Sequence, residues 1–330
     1  MKHILLVSPG FQGYYEGISA AIQSLGYRVT VHVYDKPRNI SEKVKNKIAH
    51  ELPSVIVPEF LIPKFTLGAV AAYRESRPDA VITIKGDRLS REWWDLLSVD
   101  NVPSITWLYD EIRRMDFSVD DFRSMGSICT YSSEDISLLG EMGISANHLP
   151  NAFDSLSKVT AHPQINALTF IGARYPNREK LLRQVQSLGC DVKVYGRQWS
   201  RNPMDILRTG EYRSSGLEAE GDVARCEAYG IMSSSLATLN MHYNQDGFTM
   251  RTFEACGVGG VQIVDREDVS HYYDPNSEVL VAKTAEQVAE ALEILKKDRI
   301  KTDSLRAAAK RRTYAEHTLI HRMKALTSWL

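Results

Sequence analysis

One stretch concentrates the residues that could do chemistry. His242 to Val261 reads HYNQDGFTMRTFEACGVGGV, a strand exit, an acidic loop, a short helix and a glycine-rich turn. Asp246 stands in the loop and Glu254 about a turn and a half into the helix. Carboxylates so placed can grip hydroxyls of one ligand from two sides. The helix N-terminus near Thr249 offers unpaired N–H groups and a positive dipole end, which suit a phosphate. Gly247, Phe248 and Arg251 line the same junction. An N-cap and a salt-bridge partner would use the same two acids, and the spacing does not separate these readings.

A second stretch, Leu168 to Leu182, is a strand, a turn at Gly172, and then Arg174 and Arg178 entering a helix. Cations at a helix start oppose the dipole. They make sense there if they face an anionic ligand, and a solvated basic helix start is the alternative. Tyr195-Gly196 ends a further strand. In the N-terminal half the candidates follow strand ends: Gly10 and Gly13 in SPGFQG, Asp87 in KGDR, and Asp110-Glu111 in WLYDE. The glycines suit a tight turn or a close backbone approach to a ligand, and they do not form G-x-G-x-x-G. Asp110 or Glu111 would orient a ligand hydroxyl or act as a base, and a surface turn is the alternative. His3 and His32 alternate with apolar residues and read as structural, and His242 reads as a satisfied core histidine. No Asp-x-Asp pattern occurs, so no bridging metal and no cofactor is expected.

These residues need elements to hold them. Strands are expected at 4–8, 28–33, 54–57, 80–84, 104–109, 127–131 and 147–149, then at 167–171, 191–195, 236–240, 260–264 and 278–281. Helices are expected at 17–25, 41–51, 67–76, 91–97 and 134–142, then at 177–188, 223–232, 249–256, 285–297 and 302–327. Asp120-Asp121 after Ser118 reads as a further helix start. Strands alternating with helices imply parallel sheets, so the expected architecture is α/β, two Rossmann-like domains facing each other across a cleft. The expected division is 1–155, 156–305 and a helix at 306–330 that packs back on the first domain. With 330 residues, 40 basic against 41 acidic, nothing argues for a nucleic-acid partner. Four widely spaced cysteines read as free thiols. The absence of a signal peptide core or an apolar run of membrane-spanning length points to the cytoplasm. Ten Lys/Arg against three acids in 296–330 leave room for weak contact with the inner face of a membrane.

RTFEACG at 251–257, with GGVQIVD at 259–265, resembles the donor-site block of the CgeB-type, spore-maturation-like glycosyltransferases. These are related to group-1 retaining glycosyltransferases of GT-B fold. The broader group carries a carboxylate, seven residues and a glutamate; here the first is aspartate, as Asp246-x7-Glu254. LTFIGARYPNREKLL at 168–182 is similar to the block that opens the family's C-terminal domain. EAYGIMS at 227–233, leading into LATLN, and VYGR at 194–197 resemble its base-flanking segments. The resemblance covers about residues 165–295. It implies a nucleotide-sugar donor and a glycan, lipid-linked or other hydroxyl acceptor. Arg174 and Arg178 would lie over the diphosphate, Asp246 on the donor sugar and Glu254 on the ribose hydroxyls. Water would be the partner of Glu254 when the site is empty. The rival expectations are a catalytically silent nucleotide-sugar binder and a non-transferase GT-B enzyme such as an epimerase.

Overall fold

The strands His3–Ser8 (β1) and Ala80–Ile84 (β3) bury every residue they have. A strand with no water-facing side needs helices over both faces, which is the condition of a parallel sheet. The computed structural model describes residues 1–36 and 62–330, so the helix expected at 41–51 and the strand at 54–57 lie outside the described residues. The chain divides into two units, 1–151 with 319–330, and 152–318.

In the first unit β2 (Arg28–Val33), β4 (Ser104–Trp107), β5 (Ser127–Thr130) and β6 (Ala146–His148) complete a parallel sheet of order β2-β1-β3-β4-β5-β6. Its described helices are α1 (Tyr14–Ser24), α2 (Ile62–Ser76), α3 (Glu92–Val99), α4 (Val119–Ser124) and α5 (Ser133–Glu141). Trp93 and Trp94 of α3 are buried, and their indole N–H groups donate to Thr83 and Thr106 of the sheet at 3.1 Å. That satisfies the one polar atom each ring takes into the core. The acidic helix start is present: Ser118 Oγ accepts from Asp121 N, and the Asp121 carboxylate accepts from Ser118 N at 2.7 Å.

In the second unit β7 (Ile165–Ile171), β8 (Val192–Tyr195), β9 (Glu218–Glu220), β10 (Ser235–Asn240), β11 (Gln262–Val264) and β12 (Leu280–Val281) form a parallel sheet of order β12-β11-β10-β7-β8-β9. It is flanked by α6 (Pro176–Ser187), α7 (Pro203–Thr209), α8 (Arg225–Ser234), α9 (Met250–Gly257), α10 (Ala285–Lys297) and α11 (Arg299–Glu316). Leu168, Val194 and Leu239 of the strands meet Leu182, Val288 and Leu292 of the helices in one core. α7 and β9 were not expected, although Asn202 capping Met204 N, Pro203 at the first helical position and Gly210 at φ +70° are ordinary start and stop signals.

The single helix expected at 302–327 is two. α11 ends at Glu316, and α12 (Leu319–Ser328) belongs to the first unit, where it packs on α1. The break has a tertiary cause. Phe153 N donates to the His317 carbonyl at 2.9 Å and Phe153 bridges Thr318, which draws two residues out of helical geometry. Residues 306–318 therefore stay with the second unit instead of following the last helix.

Candidate functional site

In an open parallel sheet, ligands bind beyond the carboxyl ends of the strands where the chain switches direction. In the second unit β7 leads away to β8 and β10 leads away to β11, so the switch point lies between β7 and β10. The residues past these two ends are the two stretches singled out above. They touch: Arg178 Nη2 donates to the Met241 carbonyl at 2.7 Å, and the rings of Tyr175 and Tyr243 lie 5.9 Å apart. Arg178 also sits 4.8 Å from the Tyr175 ring, and its Nη1 donates to the Ala173 carbonyl. Tyr243 holds φ +58°, a strained value for a bulky residue.

Arg174 lies elsewhere. It is buried, with Nε and Nη2 on the Glu179 carboxylate at 2.9 and 3.1 Å and Nη1 on the Arg213 carbonyl at 2.8 Å. The same guanidinium holds Glu179 below the usual carboxylate range. The expected pair of cations is thus split: Arg174 is matched by an internal acid, whereas Arg178 stands at the switch point. Gly172 and Gly196 knit β7 to β8. Gly196 has φ +147°, and a Cβ there would lie 2.7 Å from the Gly172 carbonyl. That carbonyl accepts from Trp199 Nε1. Tyr195 is buried in the strand.

Beyond β10, Gly247 and Phe248 are buried and Asp246 is half-buried. Arg266, which the sequence reading passed over, shapes this loop. Its Nη1 donates to the Gln245 carbonyl at 2.7 Å and to the Asp246 carbonyl, and its guanidinium lies 4.5 Å over the Phe248 ring. Burial alone would lower the Arg266 guanidinium; its bond to Asp268 and the charges of Asp246 and Asp265 leave it raised. Thr249 begins α9 in extended backbone without a side-chain cap. Glu254 differs from expectation most. It is fully buried, and its carboxylate accepts from Tyr229 Oη at 3.2 Å and from Arg251. Its partners in this structure are the Arg251 guanidinium and the Tyr229 hydroxyl. His242 is the core histidine expected, with Nδ1 2.8 Å from Asp265 and Nε2 3.2 Å from Thr252.

In the first unit the same rule places the switch point between β1 and β3. Gly10 N donates to Asp35 Oδ1 at 2.7 Å, and Gly13 opens α1 at φ +68°. Gln12, Lys85 and Tyr109, past the ends of β1, β3 and β4, all hold positive φ, strain that collects at functional sites. Lys85 Nζ lies 3.2 Å from Asp87 and 3.4 Å from Asp110. Burial pushes the Asp87 carboxyl up, with Lys85 opposing. Glu111, 1% exposed, turns inward onto Arg113 at 2.7 Å. A separate groove of about 510 Å³ on the second unit runs along α6 and the 211–213 loop.

The four cysteines are unpaired thiols, three of them buried. Among the described residues no three His, Cys, Asp or Glu side chains converge as a metal site would need, and no helix is long and apolar enough to cross a membrane. Three arginines of the basic C-terminal segment serve partners within the fold, while Lys296, Lys297, Arg299, Lys310, Arg311 and Lys324 are exposed. Arg306 donates to the Ser233 and Gly259 carbonyls, Arg312 pairs with Glu316, and Arg322 donates to the Pro150 carbonyl.

Residues 175–328 match a family model described as glycosyl transferase-like. The spore protein CgeB of Bacillus subtilis (strain 168) is 24% identical over 207 residues, 57% of this chain and 64% of CgeB, so the match spans less than two thirds of that relative. Among solved structures, sucrose-phosphate synthase from Thermosynechococcus elongatus superposes with a TM-score of 0.67 at 12% identity, covering 99% and 98% of the two chains. Anabaena Alr3699/HepE in complex with UDP gives 0.62 at 12%, covering 99% of each, and T4 phage BGT with its UDP-glucose substrate 0.59 at 10%, covering 99% of each. At such identities the likeness is one of fold. The chain is accordingly CgeB-like, with a glycosyl transferase-like C-terminal half on the two-domain, Rossmann-like α/β fold of GT-B type.

Proposed function

We propose that the protein is a glycosyltransferase that moves a sugar, with retention and without a metal, from a nucleoside-diphosphate sugar to the hydroxyl of a cell-surface glycan or its lipid-linked precursor. The observation that supports this reading is Arg178 on the Met241 carbonyl at the end of β10, the strand whose following loop leads to the uncapped start of α9 and on to Glu254. A cation and an uncapped helix N-terminus together suit the charge that builds as a diphosphate departs. In this reading Arg178 replaces Arg174 as the principal diphosphate cation. Asp246 holds donor sugar hydroxyls on a loop that Arg266 stiffens. Glu254 takes ribose hydroxyls by exchanging part of its present bonding to Arg251 and Tyr229. The acceptor oxygen attacks the sugar face from which the diphosphate leaves. Asp110 and Asp87 of the first unit receive the acceptor; Asp87, raised by burial, is the better placed to share a proton.

HepE and T4 phage BGT were crystallised with UDP or UDP-glucose, which makes UDP the first nucleotide to try. A thermal-shift panel of UDP, GDP, TDP and ADP tests the reading. A ligand at about one hundred times its Kd should stabilise by about 2.7 kcal/mol. No shift with any of them refutes the donor site. Donor hydrolysis then separates a transferase from a silent binder, and turnover that EDTA abolishes and magnesium restores would refute metal independence.

A further inference from the structure

α7 is unusual in burying none of its residues. Met204 and Leu207, three apart and so on one helical face, are 56% and 71% exposed, and Tyr212 just beyond is 71% exposed. Arg201 Nη1 donates to the Tyr212 carbonyl at 3.3 Å, which ties this loop back to the start of α7. The neighbouring groove along α6 is lined by Lys180, Arg183 and Arg213 as well as by Glu179 and Glu211. Glu179, itself buried, is matched by Arg174 at 2.9 Å and lies 3.6 Å from Arg183 and 3.4 Å from Arg213, so three arginines share one carboxylate and leave the groove net basic. Exposed Arg208 follows Leu207. Basic side chains therefore border three exposed apolar ones.

We infer that this face of the second unit docks the protein on an anionic lipid surface, with the groove receiving headgroup phosphates and Met204, Leu207 and Tyr212 entering the headgroup–acyl boundary. Each half of the patch excludes an occupant. A free phosphate would use the arginines and leave the apolar side chains in water. A second copy would bring the more numerous cations, Lys180, Arg183, Arg208 and Arg213 against Glu211 and Asp205, face to face. A bilayer with anionic headgroups rewards both, because interfacial binding sums buried apolar area and attraction to the surface. This inference does not depend on the donor-site reading.

The test is co-sedimentation of the full chain with phosphatidylcholine vesicles, with and without about one third phosphatidylglycerol. Binding should require the anionic lipid and weaken with salt. Arg183→Ser and Arg208→Ser should each lower it about fivefold, the usual worth of one basic side chain near such a surface. Met204→Ser/Leu207→Ser should lower it at least tenfold at an unchanged melting temperature, and Leu207→Ser alone by a smaller factor. Equal binding to both vesicles, no binding to the anionic ones, or wild-type binding by these variants overturns the inference. So does a dimer in solution that the double variant dissolves, or saturable stabilisation by inorganic phosphate without vesicle binding.

Discussion

Glu254→Gln discriminates between a carboxylate kept for a ligand and one kept for the fold. Glu254 is fully buried, and one oxygen is held by Arg251, whose side chain remains 31% exposed. Removing one partner of a buried pair costs about 3–5 kcal/mol. Water reaches Arg251, and the amide still accepts one bond, so about 2 kcal/mol is expected here. At about 2–4 °C per kcal/mol for a domain of this size, the melting temperature should fall by roughly 4–8 °C in calorimetry. The ribose role adds a separate loss. Charge-assisted bonds are worth about 1.5–3 kcal/mol, so the Kd for UDP, measured by titration calorimetry, should rise roughly ten- to a hundredfold. An unchanged melting temperature refutes the buried-pair argument. A lowered melting temperature with unchanged UDP affinity refutes the donor-site argument, because the carboxylate then serves the fold alone.

Arg178→Ala should reduce turnover more than donor affinity, since its charge matters most as the diphosphate leaves; steady-state kcat and KM decide this, and a pure KM effect would contradict it. Gly196→Ala should cost at least about 2 kcal/mol in chemical denaturation, because its Cβ would meet the Gly172 carbonyl. Gly189→Ala, at φ +85° with nothing nearby, should cost only about 1 kcal/mol, and equal costs would refute the steric argument. Burial and nearby Arg28 lower the His3 imidazole, so its neutral form is the one the fold favours. That contribution is complete above about pH 6.5 and is lost as the pH falls towards the lowered folded value; His3→Gln should flatten the slope of melting temperature between about pH 7.5 and 5.5. Parallel slopes would show that His3 does not titrate with folding.

Much of the architecture was legible because strand and helix periodicity is local. Runs such as ILLV and AVITI are apolar on both faces and can only be central strands of a covered parallel sheet. The Ser118–Asp121 helix start is likewise written within four residues. The glycine block at 257–260 and the acids at 246 and 254 drew attention through their types and spacing alone. What the sequence left open was how each charge would be matched, because partners are distant in the chain. Arg174 and Arg178 are four residues apart at one helix start, yet the first answers Glu179 and the Arg213 carbonyl and the second reaches Met241, 63 residues away. Glu254 is held by Tyr229, 25 positions earlier, and Glu111 pairs with Arg113. The 302–327 helix breaks because Phe153 draws on the His317 carbonyl, 164 residues from it, a demand no local pattern records. Periodicity sets which face of an element is buried; only the packed structure decides which buried charge meets which, because desolvation penalises every pairing except the one that geometry allows.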